Sequence, residues 1–128
     1  MAAVNLTYIR GELFTLMYNN VCQTVFMDSV GNIDRNNNKG IVMLDFKSMI
    51  RNNNAFQYGT IRVWLYSIDS DLGAILADLE DKFNKAIDDY QKSDSAAKIE
   101  FNQRYTYSGH DTERKLRYFV KELTIKIK

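Results

Sequence analysis

"TIRVWLYSI", residues 60–68, alternates with a period of two: Ile61, Val63 and Leu65 fall on one side of an extended chain, and Arg62, Trp64 and Tyr66 on the other. Both sides carry large side chains. The strand therefore predicts a sheet with one face packed on helices and the other against a loop or a partner. It runs directly into the clearest helical pattern of the chain. Leu72, Ile75, Leu76, Leu79, Phe83, Ile87 and Tyr90 recur at three- and four-residue steps, while Asp78, Asp81, Lys82, Lys85, Asp88 and Asp89 fill the opposite face. A helix over about 71–91 with Ser70 as its N-cap follows from that spacing.

Upstream, "IVMLDFKSMI" (41–50) sets Val42, Leu44 and Phe46 against Met43, Asp45 and Lys47, which reads as a strand at least to Lys47. "VCQTVFMD" (21–28) is β-branched and aromatic and reads as another strand. Between them, "DRNNNKG" (34–40) is rich in turn formers and reads as a hairpin tip. Leu6, Ile9, Leu13, Phe14 and Met17 fall at helical spacing, predicting a first helix over 5–18, ended by Asn19-Asn20. Gly11 inside it costs about 1 kcal/mol relative to alanine.

Downstream, "KSDSAA" (92–97) reads as a linker. "KIEFNQRYTY" (98–107) and "KLRYFVKELTIKIK" (115–128) then read as strands joined by the loop "SGHDTER" (108–114), with His110 in that loop. In the last segment Leu116, Tyr118 and Val120 keep one phase and Leu123, Ile125 and Ile127 the other, so a bulge is expected near Lys121 or Glu122. The predicted order is α-β-β-β-α-β-β. This is an α+β fold, one domain over residues 1–128, with helices on one side of a mainly antiparallel sheet.

The 128 residues carry 17 basic and 16 acidic side chains, so no overall field draws the chain to nucleic acid or membrane. The distribution is uneven. Residues 51–95 hold five basic and eight acidic groups, and residues 96–128 hold eight basic and four acidic. With one cysteine, Cys22, neither an internal disulfide nor a multi-cysteine zinc site is expected, which fits a reducing compartment. The N-terminus lacks the pattern of a signal peptide, and no apolar run approaches a membrane span, so a soluble protein with no membrane partner is expected. Seven of the twelve asparagines fall in 32–38 and 52–54, marking solvated or interacting loops.

The stretch from Asp34 also resembles part of a calcium loop, with Asn36 and Asn38 in the third and fifth places and Asp45 in the twelfth. Its sixth place, where glycine is required, is Lys39, with Gly40 one residue late, and the flanks read as strands. No metal site is therefore expected, and no cofactor motif is present. Cys22 and His110 have no sequence reason to meet, and the strong catalytic signatures are missing, so the chain reads as non-enzymatic. A nucleic-acid module is the alternative, because "QRYTY" and "RKLRYFVKE" interleave Arg104, Arg117 and Lys121 with Tyr105, Tyr107 and Tyr118. The same tyrosines also suit half-buried cross-strand pairs.

The element order, together with "IVMLDFKSMIRNNNAFQYGTIRVWLYSID" (41–69) running into the helix, resembles the tail-terminator and head–tail connector ring proteins of tailed bacteriophages. The resemblance extends over nearly the whole chain. It implies a structural virion protein, present in host cytoplasm during assembly, forming a homo-oligomeric ring of six-fold or twelve-fold symmetry in the neck or at the top of the tail. Its partners would be the portal or adjacent neck and tail rings, around a channel that passes DNA. Ring interfaces are heterologous, so one side of a subunit must complement a different side of its neighbour. The expected contacts are Asp34, Arg35, Lys39, Arg51 and Asn53 in the loops, with Asp78, Asp81 and Asp88 on the helix facing Arg104, Arg117 and Lys121 of a neighbour.

Overall fold

The computed structural model describes residues 6–31, 33, 40–46, 58–68, 73–93 and 99–127. In chain order the elements are α1 (Leu6–Asn20), β1 (Val25–Met27), β2 (Gly40–Asp45), β3 (Tyr58–Ile68), α2 (Ala74–Gln91), β4 (Ile99–Asp111) and β5 (Leu116–Ile127). The five strands form a single sheet in the order β1-β2-β3-β5-β4, and both helices pack on one side of it. The α+β class and the predicted element order are therefore observed.

The β3 alternation decides the layering. Ile61, Val63 and Leu65 point toward the helices and join Val42 and Leu44 of β2, Leu123 and Ile125 of β5, and Ile99 and Phe101 of β4. From α1 come Ile9, Leu13 and Met17, one turn apart on one stripe, and from α2 come Leu76, Leu79, Phe83, Ile87 and Tyr90. Each such side chain fully removed from water contributes about 2–3 kcal/mol, which offsets the cost of ordering the chain. On the opposite face Ile41, Met43, Tyr66 and Leu116 form a second apolar cluster, flanked by Phe26, Val30, Ile33, Trp64 and Tyr118.

Several features depart from the sequence expectations. β1 has three residues rather than eight, and it runs parallel to β2, with Val25 opposite Val42 and Met27 opposite Leu44. Its connection to β2 is therefore a crossover and not a hairpin, which agrees with the dozen residues between Met27 and Gly40. Val30 and Ile33 of that connection pack on the sheet face away from the helices. Residues 34–39, and with them most of "DRNNNKG", lie outside the described residues, as does the 51–57 loop.

β5 pairs with β3 without interruption from Leu116 to Lys126, so no bulge occurs near Lys121 or Glu122. Two hydrophobic phases exist because both faces of this strand are covered. The irregularity falls on β4, between Gln103 and Tyr105. β4 also runs to Asp111, placing His110 in a strand rather than a loop, and a four-residue turn with Lys115 at φ 56 joins it to β5. Helix α2 begins at Ala74 behind Gly73, whose φ of 88 is left-handed and which offers no side-chain cap. Ser70, the expected cap, lies outside the described residues. Phe14, expected on the buried stripe of α1, instead faces out and stacks on Tyr18, with ring centroids 5.9 Å apart.

Candidate functional site

On the sheet face away from the helices, Trp64 and Tyr66 of β3 project two residues apart, and Tyr118 stands directly opposite Tyr66 on β5. The three rings form a cluster: Trp64 lies 5.9 Å from Tyr66 and 5.1 Å from Tyr118, and Tyr66 meets Tyr118 edge-on at 5.9 Å. Gly109 of β4 is the next cross-strand partner of Tyr118. A β-carbon at Gly109 would sit 2.5 Å from Tyr118 Cζ and 2.9 Å from Cε1, so the absence of a side chain lets the ring lie over the backbone.

A cleft of about 540 Å³ opens on this cluster. Its floor is Met43, Trp64, Tyr66 and Tyr118. One rim is Asp28, Ser29 and Val30, and the other is His110, Asp111, Glu113 and Arg114 of the hairpin end. Asp28 fixes the first rim. Its φ of 67 suits aspartate better than most residues. Its Oδ1 accepts the Phe46 N–H at 2.9 Å, its Oδ2 accepts from Arg10 Nη1 at 2.9 Å, and its own N–H donates to the Leu44 carbonyl at 2.8 Å. The Arg10 guanidinium also lies 4.9 Å from the Phe46 ring centroid, so one cation is held by a carboxylate and an aromatic face together. At the other rim Asp111 Oδ1 accepts the Arg114 N–H at 3.0 Å.

Burial pushes the Tyr66 phenol up to about 12; the nearby Asp111, Tyr118 and Asp45 add to the rise, and Arg114 opposes it. Burial also raises Tyr90, whose ring packs at a tilt on Phe101, with centroids 4.8 Å apart, on the helix side. An unfolded tyrosine ionises near pH 10, whereas these stay neutral longer in the folded chain. Their contribution is intact below pH 10 and is lost as pH rises toward 12. The thermal unfolding midpoint is therefore expected to fall above pH 10, while absorbance at 295 nm shows these phenols titrating late in the folded protein. Full ionisation of all eight tyrosines near pH 10 with an unchanged midpoint would contradict it.

The predicted contact residues divide into three groups. Asp34, Arg35, Lys39, Arg51 and Asn53 lie outside the described residues. Asp78, Asp81 and Asp88 are exposed on α2, as expected, with Asp78 paired to Lys82 at 2.9 Å. On the closing strands Arg117 is exposed and Arg104 sits at the β4 irregularity. Lys121 is the correction: it is 4% exposed, and its ammonium pairs with Glu80 of α2 at 2.5 Å. It belongs to the phase of Phe119 and Leu123, which faces the helices, so it is available neither to a neighbour nor to phosphate. Arg117 shares that phase, whereas Tyr118 has the opposite one. The strand thus splits the basic residues and the tyrosine that the nucleic-acid alternative required on one surface.

Cys22 packs against the helix-side core, with Sγ 3.4 Å from the Thr24 carbonyl, and burial pushes its thiol up. His110 lines the cleft on the other face, so the two do not form a pair. Among the described residues no cluster of three His, Cys, Asp or Glu side chains is placed to hold a metal. No described helix is long and apolar enough to cross a membrane. The two-sided alternation at 60–68 signals one part of the aromatic cleft; the roles of Asp28 and Gly109 have no local signal in the sequence. No family model matches the chain, and no curated protein matches it.

Proposed function

We propose that this chain is a structural virion protein that assembles into a ring in the neck or at the top of a phage tail, joining head to tail around the DNA channel. The observation that supports the reading is that two unlike surfaces, an exposed aromatic pair on α1 and an aromatic cleft, lie on opposite sides of one sheet. On the helix side, the exposed residues of α1 from Thr7 to Asn20 are all uncharged, and they include the stacked pair Phe14 and Tyr18, 37% and 42% exposed. The exposed face of α2, by contrast, is dominated by Asp78, Asp81, Lys82, Lys85, Asp88 and Asp89. A helix whose most exposed positions are uncharged and include two aromatic rings, beside one with a charged face, fits a surface covered by protein. On the far side of the sheet lies the aromatic cleft. Two unlike surfaces favour head-to-tail contacts, which close into rings when the rotation allows.

Among the expected contacts, Asp81 and Asp88 on α2 and Arg117 on β5 are exposed, and such charges set registry more than affinity. Light scattering coupled to size-exclusion chromatography is expected to give a closed oligomer, six or twelve copies, alone or after adding a portal or tail-tube partner. Phe14→Asp combined with Tyr18→Asp should return the protein to monomer without unfolding it, since both side chains already face solvent. A wild-type chain that stays monomeric and joins no particle would remove this reading.

A further inference from the structure

The geometry points to the Trp64–Tyr66–Tyr118 cleft as a receptor for an arginine side chain presented by an extended segment of a partner protein. The cleft is also one of the two surfaces the ring reading uses, but its ligand chemistry follows from the cleft's own geometry, and a peptide titration tests it whether or not rings form. Three observations carry it.

The floor is aromatic on three sides, with ring centroids 5.1 to 5.9 Å apart, and faces of this kind attract a planar guanidinium that stacks on them. The volume of about 540 Å³ accommodates one long side chain with part of its backbone and is too small for a folded element. The charges on the rim are also unequal. Asp28, Asp111 and Glu113 stand against Arg114, and Asp28 is engaged by Arg10 from the helix side. Asp111 is tied to Arg114 through the backbone N–H at 3.0 Å, with its carboxylate 4.0 Å from the guanidinium. Glu113 is exposed and has no ion pair among the described residues. One carboxylate thus remains to receive the cation after the internal pairs are counted.

The molecule already uses this chemistry next door. Arg10 lies on the Phe46 ring with its guanidinium bonded to Asp28, and Asp28 itself lines the cleft. An incoming arginine would repeat that arrangement, stacking on Trp64 and Tyr118 with its guanidinium toward Glu113 and Asp111. Its N–H groups donate and the carboxylate oxygens accept. Lysine fits less well, because its compact ammonium neither stacks nor forks. An acidic side chain would meet like charge at the rim.

Trp64 is the chain's one tryptophan, so its fluorescence reports on the cleft without labelling. The probe is the blocked tripeptide acetyl-Gly-Arg-Gly-amide, titrated into the full chain beside analogues with citrulline, lysine or glutamate in the central place. A saturable change with the arginine peptide is expected at about millimolar affinity, as suits a small ligand. Citrulline keeps the shape and removes the charge, and should bind about tenfold more weakly. Glu113→Gln with Asp111→Asn should weaken arginine binding by a similar factor while the circular dichroism spectrum is unchanged, because asparagine still accepts the Arg114 N–H. A response that does not saturate, an equal response to citrulline, or preference for the glutamate peptide would each overturn the assignment.

Discussion

Glu80→Ala lowers the free energy of unfolding by about 3 kcal/mol, and Lys121→Met lowers it by about 1 kcal/mol or less. The asymmetry follows from where each charge sits. The Lys121 side chain is 4% exposed on the helix-facing phase of β5, between Val63 of β3 and Thr106 of β4 in the ladder. Removing Glu80 takes away the carboxylate that the Lys121 ammonium bonds at a place water reaches poorly, the situation in which breaking a buried pair costs about 3–5 kcal/mol. The lower end applies because Glu80 is 31% exposed, so some solvent follows into the gap. Removing Lys121 instead leaves a carboxylate that water reaches, and methionine fills nearly the same length with apolar atoms suited to that layer. The double substitution should be no less stable than Lys121→Met alone. Denaturant unfolding of the four proteins closes the cycle; a Lys121→Met variant less stable than Glu80→Ala would show that the lysine serves something other than this pair.

Gly109→Ala is the second large effect, about 2 kcal/mol. The new methyl would lie 2.5 Å from Tyr118 Cζ and closer still to its hydroxyl oxygen, inside any tolerable contact. β4 is the edge strand, but its antiparallel ladder to β5 runs from Ile99 to Asp111 and resists local separation at Gly109. Tyr118 must therefore leave, surrendering its packing on Trp64 and Tyr66. Gly109→Ala in a Tyr118→Ala background should then be nearly silent, because the clash has lost its second partner. A cycle in which the two substitutions add within about 0.5 kcal/mol would refute this account. Trp64 fluorescence should change in Gly109→Ala even where the protein remains folded.

What the sequence disclosed and what it concealed follow a physical division. Local periodicity is a property of one segment, so α2 was legible from its apolar steps, and Leu76, Leu79, Phe83, Ile87 and Tyr90 are all buried. Strand direction depends on a partner far away in the chain. Nothing in "VCQTVFMD" distinguishes a parallel edge strand from half a hairpin, and the turn-rich connection favoured the wrong choice. Lys121 shows a related limit. Its place between Val120 and Leu123 looked like a break in the pattern, because alternation was read with one face buried. With both faces covered the strand is regular, and the lysine inside it is met by Glu80, forty-one residues earlier, which arrives from α2. The candidate site divides the same way: the aromatic side chains at 64 and 66 were visible as a face, whereas their closure by Tyr118, Gly109 and Asp28 arises from the folding of distant segments.

The irregularity on β4 acts like a frameshift. Up to Gln103 opposite Leu123 the strand keeps one reading frame, and continuing that frame would bring Ser108 opposite Tyr118. The extra residue at Arg104 advances the count by one, so Gly109 arrives there instead. One inserted position thus delivers the residue without a side chain to the place where a ring must lie flat on the backbone, and the aromatic cleft downstream is written in the shifted frame.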